Sequence, residues 1–565
     1  MNRKITKGFV NVNQGQVHYR ISGEGPPIIL LHDSPRSSIL HIPLLNHFSS
    51  EFSTIAIDTP GYGNSTALKK NNQLEISDFG NALADTVLGF NLEKCPVYGF
   101  HTSSKILLEF ASLHPNHVSV AIMDGLSLPS GKTDHSFIAK YMRPFKITDS
   151  GSYLAEEWTR VRDFQRWFPW FLKSKDSRLQ SNQRNMEFIH SYCMDLFMAG
   201  PNFSDAYAAA MRYKAINVVP NVKAKCVFMA REDDVLYPFL DNLPKNLPKN
   251  FSIERLTNDI EKWKDKLFGL FRENSPTKNK ISFTPPDPLQ NPLENNFITK
   301  GYVSTENGQV LVRRIGSGNK MPILFLHDLP GSSRADEEFL KLLSNNRTVY
   351  SIDLPGCNDS DKIPEPNPKK YINILNEVII KLGLEKINII ANGLSTPLAV
   401  YYALTFEQKI NKLILNGIIL GNNSYREELK SNYLANLEPN INGSHLHACW
   451  HMIRDQSIQW PWYDGTKKAI RQINPNLDSN EIYIRLVDTL KQWNNANDAI
   501  KASLEINCED IIRKIKQPTL LINQENDPKY IWVKKASGLI KNFEKSDNND
   551  NKIKLSKVIL SYLEK

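Results

Sequence analysis

Short apolar runs alternate with longer amphipathic stretches along the chain. The runs PIILLH, STIAID, CPVYGF and VAIMDG are each bounded by turn-forming residues, and stretches such as SSKILLEFASLHP between them have helical spacing. A hairpin pattern precedes the first run. Apolar strands that alternate with helices are typical of a parallel sheet covered on both faces. The pattern therefore predicts an α/β fold with a mostly parallel sheet flanked by helices.

This pattern occurs twice in the sequence. GFVNVNQGQVHYR is matched by GYVSTENGQVLVR, IILLHDSPRSS by LFLHDLPGSS, and IDTPGYGNS by IDLPGCNDS. The separation between matched segments is nearly constant, which indicates that a whole domain has been duplicated rather than a short solenoid repeat. We predict domain 1 at 1–273, a linker rich in Pro, Asn and Lys at 274–299, and domain 2 at 300–565.

Two helical, Trp-rich segments interrupt the alternation, at about 129–215 and 421–505. We interpret them as caps inserted over the carboxyl edge of each sheet, where open α/β sheets bind ligands. The most closely repeated motif of the chain lies in these caps, as GSYLAEEWTRVRDFQRWFPWF in the first and GSHLHACWHMIRDQSIQWPWY in the second.

Composition and charge exclude several classes of protein. The chain has 565 residues, 41% hydrophobic and 23% charged, as expected of a globular protein with more than one core. Its net charge of +9 is small for its length and no long basic block occurs, which argues against nucleic acid. The cysteines are scattered without a C-x-x-C, so we expect neither a metal site nor a disulfide framework. Neither a secretory signal nor a run long enough to span a membrane is evident, so we expect a cytoplasmic protein.

Motifs in the turns after the predicted strands point to a known family. HDSP at 32–35 and HDLP at 327–330 resemble the H-G-x-P turn of the α/β-hydrolase superfamily, and 58–65 and 353–360 resemble its D-x-P-G-x-G-x-S turn. Cap-bearing members such as esterases, epoxide hydrolases, dehalogenases and carbon–carbon bond hydrolases look most similar. The resemblance covers nearly the whole chain, twice. It implies two tandem α/β-hydrolase domains, each with an inserted helical cap.

The catalytic positions depart from the pattern of that superfamily. Its nucleophile is the central residue of G-x-S-x-G on a strand–turn–helix corner, and here that residue is His101 in the first copy and Gly393 in the second. Asp234 and Asp527 match the late catalytic acid, but no histidine follows either acid within its copy. A serine acyl-transfer mechanism needs both the nucleophile and that histidine, so we do not expect it.

The first copy keeps residues for a different mechanism. If the corner is retained, the His101 imidazole reaches into the pocket, where a hydrogen bond to Asp234 would make it a general base. The resemblance implies that the backbone amides of Ser34 and Thr102 form an oxyanion hole. The alternatives are a decayed corner that tolerates any polar side chain and, for the amides, two ordinary tight turns.

The second copy has a less reactive residue at the same corner. Gly393 relieves the strained dihedrals of the corner, so we expect this copy to support the first, with ligand binding in its pocket left open. By resemblance, His32 and His327 fix their loops by hydrogen bonding. Asp234 and Asp527 could equally be ordinary turn residues.

In the repeated cap motif, Trp158 and Arg162 lie four residues apart and share a helix face, as do Trp450 and Arg454. One interpretation is a packed cap core locked by an Arg–Asp pair. The other is that these side chains line the roof of the pocket and bind an anionic or aromatic ligand.

Two functions follow from these observations. The first is an atypical α/β-hydrolase-family enzyme, hydrolase- or lyase-like, that acts on a small ester-, lactone- or ketone-like substrate with His101 as base and Asp234 orienting it. The second is a catalytically inactive protein that binds a small molecule or a protein partner. We expect no cofactor for either function, and we expect contact between the two domains within the chain.

Overall fold

The computed structural model describes residues 4–129, 131–180, 182–275, 283–546 and 551–565. The chain forms two compact units. Unit 1 consists of Met1–Lys146 and Thr159–Asn291, and unit 2 of Ile147–Trp158 and Pro292–Lys565. Part of the predicted linker, 276–282, lies outside the described residues.

Unit 1 contains one eight-stranded sheet. Its strands are β1 (Thr6–Val12), β2 (Gly15–Ser22), β3 (Pro27–Leu31), β4 (Ser53–Ile57), β5 (Cys95–Phe100), β6 (Val118–Asp124), β7 (Cys226–Arg231) and β8 (Phe251–Leu256). Their order across the sheet is β1-β2-β4-β3-β5-β6-β7-β8. The pairs β1–β2 and β2–β4 are antiparallel and all other pairs are parallel.

Unit 2 repeats this sheet. Its strands are β9 (Thr299–Thr305), β10 (Gly308–Ile315), β11 (Lys320–Leu326), β12 (Arg347–Ile352), β13 (Ile387–Asn392), β14 (Ile410–Asn416), β15 (Thr519–Ile522) and β16 (Phe543–Ser546). Read from β9, the order is β9-β10-β12-β11-β13-β14-β15-β16, the same topology as in unit 1. The predicted tandem pair of mostly parallel sheets is confirmed.

Helices connect the strands in the same way in both copies. Those before residue 292 are α1 (Ile42–Phe48), α2 (Ile76–Gly89), α3 (Thr102–Leu113), α4 (His135–Tyr141), α5 (Tyr153–Phe164), α6 (Met186–Ala199), α7 (Ser204–Arg212), α8 (Ala215–Val218) and α9 (Ile260–Asn274). The others are α10 (Glu337–Leu343), α11 (Pro368–Lys381), α12 (Thr396–Thr405), α13 (Asn423–Asn432), α14 (Ser444–Asp455), α15 (Ser479–Leu490), α16 (Asp498–Glu505), α17 (Cys508–Ile512), α18 (Tyr530–Ser537) and α19 (Lys552–Glu564). Helices α4–α8 are inserted between β6 and β7, and α13–α17 between β14 and β15.

The apolar strands form the core of each unit. Ile28 and Leu30 of β3 are fully buried and pack in one cluster with Ile122 of β6, Phe48 of α1 and Phe271 of α9. Such continuous apolar strands are buried on both faces, which is why they lack the alternation of a half-exposed strand. The carboxyl ends of the parallel strands are left to carry polar residues. Among the described residues, no helix is both long and apolar enough to cross a membrane.

Candidate active site at the two elbows

The corner between β5 and α3, which we call the elbow, has a strained backbone. His101 adopts a φ of 49° and a ψ of −108°, a conformation that L residues rarely adopt. The helix begins so close to the strand that a Cβ at Gly99 would lie 2.7 Å from the Ser103 carbonyl oxygen. The elbow presents the imidazole outward, and the His101 side chain is 26% exposed.

His101 and Asp234 are in direct contact. Nε2 of His101 lies 2.8 Å from Oδ2 of Asp234, and the backbone N–H of Leu236 donates to Oδ1 over 2.8 Å. Because a carboxylate only accepts, Nε2 carries a proton, and in the neutral imidazole the lone pair is on Nδ1. The Phe100 ring stacks on the imidazole with 4.0 Å between centroids, which fixes the plane of the ring.

The pKa values of the two partners move in opposite directions. Burial lowers the pKa of His101, but the hydrogen bond to Asp234 and the charges of Asp234, Asp33 and Asp124 outweigh it, so the pKa is raised. Burial raises the pKa of Asp234, and the hydrogen bond and charge of His101 outweigh it, so this pKa is lowered. Each group favours the charged form of the other.

Asp33 replaces the family's glycine beside the unit 1 elbow. Its Oδ1 is buried and has no hydrogen-bond partner among the described residues. Burial raises the pKa of Asp33, although the charges of Arg36, His101 and His32 oppose the shift. Within the described part of the chain, the backbone amides of Ser34 and Thr102 donate to no protein acceptor.

The histidines of the two H-D turns make equivalent hydrogen bonds. In unit 1, the Thr59 amide donates to Nε2 of His32 over 2.9 Å, and Nδ1 of His32 lies 2.7 Å from the Asp33 carbonyl. In unit 2, the Leu354 amide donates to Nε2 of His327 over 3.1 Å, and Nδ1 lies 2.8 Å from the carbonyl of its neighbour. Each histidine therefore joins two loops at the carboxyl edge and has no nitrogen left for chemistry.

In unit 2 a carboxylate occupies the position of the oxyanion hole. Oδ1 of Asp328 accepts from the amides of Leu329, at 2.7 Å, and Leu394, at 2.8 Å. These amides correspond to those of Ser34 and Thr102 in unit 1. Gly393 has a φ of 49°, and a Cβ there would lie 2.2 Å from Asp328 Oδ1. The glycine at this elbow therefore leaves the space that the Asp328 carboxylate fills.

The late acid of unit 2 also has a different partner. The Lys529 amide donates to Oδ1 of Asp527 over 2.8 Å, just as Leu236 does to its acid. Oδ2 of Asp527, however, accepts from Arg471, with Nε at 2.9 Å and Nη2 at 2.6 Å. Arg471 corresponds to Leu179 of unit 1, because the two backbone amides make the same bond, to the carbonyls of Ile458 and Arg166 respectively.

The two serines that follow His101 have structural roles. The Ser103 hydroxyl donates to the His32 carbonyl, and the Ser104 hydroxyl lies 2.8 Å from the carbonyls of both Gly99 and Asp124. Both side chains are fully buried. Neither hydroxyl is therefore placed to act as a nucleophile.

The repeated cap motif pairs with itself inside unit 2. Trp158 is 2% exposed, and its Nε1 donates to the Ile441 carbonyl over 3.1 Å. A Cβ at Gly443 would lie 2.7 Å from Trp158, and a Cβ at Gly151 would lie 2.9 Å from Trp450. Each tryptophan thus packs on the glycine of the other motif, which explains why these residue types recur. Trp158 forms part of this packing and not of a pocket roof.

The two arginines of the cap motif differ in their surroundings. Arg454 pairs with Asp455, at 2.9 Å between Nη1 and Oδ1. Arg162 is half-buried and lines a small cavity on the cap of unit 1. Burial and the charge of Arg166 lower the pKa of Arg162.

Asp124, at the end of β6, is a site residue that the sequence analysis missed. Its Oδ2 accepts from Tyr98 Oη at 2.9 Å and from Trp263 Nε1 at 2.8 Å, and burial raises its pKa to about 6. It lines a mostly apolar cavity of about 290 Å³ together with Asp234 and Phe100. The available signal was an aspartate at the carboxyl end of an apolar strand, which is where parallel sheets place ligands.

Comparison with known proteins agrees with this architecture. A family profile described as alpha/beta hydrolase fold matches residues 26–197 and 321–529. (E)-2-((N-methylformamido)methylene)succinate hydrolase of Acinetobacter baylyi is 29% identical over 22% of this chain and 46% of its own length. Proline iminopeptidase of Heyndrickxia coagulans is 26% identical over 24% of this chain and 48% of its own length. The chain thus spans about half the length of these curated relatives.

Among solved structures, an esterase from Exiguobacterium antarcticum is 17% identical and aligns with 47% of this chain and 99% of its own, with a TM-score of 0.38. The family profile matches more than half of the chain, once in each unit, and each match falls on a sheet of the same topology. The chain therefore belongs to the alpha/beta hydrolase fold family, as a tandem of two such domains.

Proposed function

We propose that unit 1 is an atypical α/β-hydrolase-family enzyme in which His101 acts as general base and Asp234 orients it. The observation that carries the proposal is the 2.8 Å contact between His101 Nε2 and Asp234 Oδ2 at the elbow. A histidine at this position restores a His–Asp pair in a copy that lacks the usual catalytic histidine.

The proposed reaction begins with proton transfer to Nδ1 of His101. Nδ1 takes a proton from a water molecule that attacks a carbonyl carbon, or from a carbon acid next to a carbonyl group. Asp234 stabilises the imidazolium that forms, and the imidazolium then returns its proton to the leaving group or the product. This sequence needs no covalent intermediate with the protein.

The amides of Ser34 and Thr102 are the proposed donors to the developing oxyanion. Burial raises the pKa of Asp33 beside these amides and so disfavours its charged form, which lessens the repulsion of an oxyanion there. The cavity of about 290 Å³ reaches Asp234 but is not lined by His101, Ser34 or Thr102, so the proposed ester-, lactone- or ketone-like substrate rests on the chemistry of the dyad. The relatives named above are a hydrolase and a peptidase, which supports hydrolysis over carbon–carbon chemistry.

The competing function is a catalytically inactive protein that binds a small molecule or a protein partner. One observation favours it. Asp33 occupies the position from which Asp328 blocks the oxyanion hole in unit 2. If both copies had lost activity, an aspartate would be tolerated in both turns, as is the case with Asp33 and Asp328.

Turnover of a panel of nitrophenyl esters, lactones and β-diketones would separate the two functions. We expect His101→Gln to lower kcat by about 10²–10⁴-fold, the usual contribution of a general base. Asp234→Asn should also lower kcat. The pH range in which kcat rises should shift to lower pH, because Asp234 raises the pKa of His101.

Arg454→Gln, a cap change in unit 2, serves as the control and should leave turnover unchanged. A substrate that His101→Gln turns over at the wild-type rate would refute the dyad. A folded wild-type protein that turns over no member of the panel would favour the binding function.

A further inference from the structure

Half of the residues that line the small cavity on the cap of unit 1 are arginines. It measures about 50 Å³ and is surrounded by four arginines and two glutamines, namely Arg162, Arg166, Arg178, Arg184, Gln165 and Gln183. No aspartate or glutamate lies among the described residues that line it. A groove of about 510 Å³ shares Gln183 and Arg184 with the cavity and also contacts Phe188.

Two of the four arginines stack on aromatic rings. The guanidinium of Arg178 lies 5.2 Å from the ring centre of Trp167, and that of Arg184 lies 5.1 Å from the ring centre of Phe188. In the described part of the chain, no carboxylate forms an ion pair with Arg166, Arg178 or Arg184. Asp163, near the end of α5, forms an ion pair with Lys173, at 2.7 Å.

Arg162 and Arg166 are half-buried and Arg178 and Arg184 are exposed, so solvent screens part of the repulsion among these four like charges. Burial is the main cause of the lowered pKa of Arg162; the charge of Asp163 opposes the shift, and the charge of Arg166 adds some repulsion. A bound anion would remove it. The cluster offers an anion several cationic hydrogen-bond donors at one place.

Unit 2 provides an internal comparison for this cavity. The backbone bond that aligns Leu179 with Arg471 also aligns Arg166 with Ile458. The isolated β-bridges align Arg178 with Ile470. Unit 2 thus has isoleucines where unit 1 has two of its arginines, although the local backbone is the same. The charge is therefore not a requirement of the fold.

We propose that this cavity binds the phosphoryl group of a small organic phosphate monoester, with the organic part in the adjoining groove against Phe188. Guanidinium groups match phosphate oxygens through paired hydrogen bonds, and the glutamine amides provide further donors. Several positive charges favour a dianion over a singly charged carboxylate. This site is separate from the proposed catalytic function and requires no turnover.

Calorimetric titration of the full-length protein with phenyl phosphate tests the proposal, with benzoate as the singly charged comparison. We expect saturable binding of phenyl phosphate at least tenfold tighter than that of benzoate. Arg166→Ile/Arg178→Ile, which installs the unit 2 residues, should weaken phenyl phosphate binding by at least tenfold. Arg166→Gln/Arg178→Gln should do the same without adding apolar surface, and this second pair keeps the test valid if the first misfolds.

Lys245→Gln/Lys249→Gln is the matched control, since it removes two exposed charges from another loop of unit 1. It should change the affinity by less than twofold. Equal losses in the control and in the arginine variants would show general electrostatic attraction and overturn the site. Failure of phenyl phosphate to saturate the wild-type protein, or equal affinity for benzoate, would also overturn it.

Discussion

The two elbows have the same backbone and opposite contents. His101 and Gly393 both adopt a φ of 49°, and each follows a strand of equivalent position. In unit 1 the His101 side chain contacts Asp234, and the amides of Ser34 and Thr102 donate to no acceptor within the described part of the chain. In unit 2 the elbow has no side chain, and the neighbouring Asp328 fills the hole.

This difference shows that the changes in unit 2 are coupled. Asp328 fits only because residue 393 is glycine, since a Cβ would lie 2.2 Å from its Oδ1. Likewise, the elbow of unit 2 has no histidine to contact Asp527, and Asp527 is paired with Arg471 instead. Unit 1 has Leu179 at the position of Arg471. In unit 2 the amides of Leu329 and Leu394 and the Asp527 carboxylate thus all have partners within the unit, as is usual for buried polar groups.

The largest expected effect on stability concerns Asp527 of unit 2. Arg471→Leu, which installs the unit 1 residue, leaves the fully buried Asp527 side chain without its ion-pair partner. We expect a loss of about 3–5 kcal/mol in the free energy of unfolding of unit 2, measured by urea denaturation. Adding Asp527→Asn should recover most of the loss. A loss below the measurement error would mean that the pair does not stabilise the copy.

The next effect concerns the unit 2 elbow. Gly393→Ala should cost about 3 kcal/mol, because the positive φ is strained for alanine and the new Cβ meets the Asp328 carboxylate. Denaturation of the single variant and of Gly393→Ala/Asp328→Gly measures the coupling. The double variant should regain the part of the unfolding free energy that is lost to the clash between the new Cβ and Asp328. Simple additivity of the two changes would contradict the coupled pair.

A smaller effect depends on pH and concerns the contact between His101 and Asp234. The His101 pKa is raised on folding, so its contribution is fully present below the pKa of an unfolded histidine and is lost as pH rises through the folded value. The Asp234 pKa is lowered, so its contribution is present above the unfolded value and lost as pH falls through the folded one. The destabilisation by His101→Gln should therefore be larger at pH 5.5 than at pH 9, by about 1 kcal/mol.

The matched measurement is Arg471→Leu at the same two pH values. The cost of Arg471→Leu should not be larger at pH 5.5 than at pH 9, because the buried Asp527 left without its partner can take up a proton at the lower pH. The same pH dependence in both variants would show that the effect comes from global charge and not from the His101–Asp234 bond.

The smallest expected effect is the absence of one. Fluorophosphonate probes should label neither copy, because Gly393 and His101 replace the nucleophile and the buried Ser103 and Ser104 donate to backbone carbonyls. In-gel fluorescence with a serine hydrolase as positive control checks this. Stoichiometric labelling mapped to Ser103 would contradict the described hydrogen bonds.

The sequence predicts much of the fold because apolar strands and turn motifs are local signals, and their repetition doubles the evidence. It also predicts which side chains meet at His101, since the elbow and the late acid have fixed places in the sheet. It does not predict that the Asp328 carboxylate would accept from the Leu394 amide, or that Arg471 would form an ion pair with Asp527. Those contacts join residues 66 and 56 positions apart, and their geometry depends on loop paths that no local pattern specifies.

The cap motif also shows what a sequence pattern cannot predict. Trp158 and Arg162 share a helix face, which suggested a common role. In the structure the tryptophan packs on Gly443 in unit 2 and the arginine lines a cavity in unit 1. Helical spacing gives the direction of a side chain but not its neighbour.

The carboxylate of Asp328 has a consequence for any search for ligands. A group tethered beside its own binding site competes as though it were present at about millimolar concentration or above, and it never diffuses away. A free carboxylate or oxyanion would have to outcompete it to enter unit 2. A weak anion that is found to bind at an elbow of this chain therefore reports on unit 1 alone, and soaking or screening experiments can be interpreted for one copy although two are present.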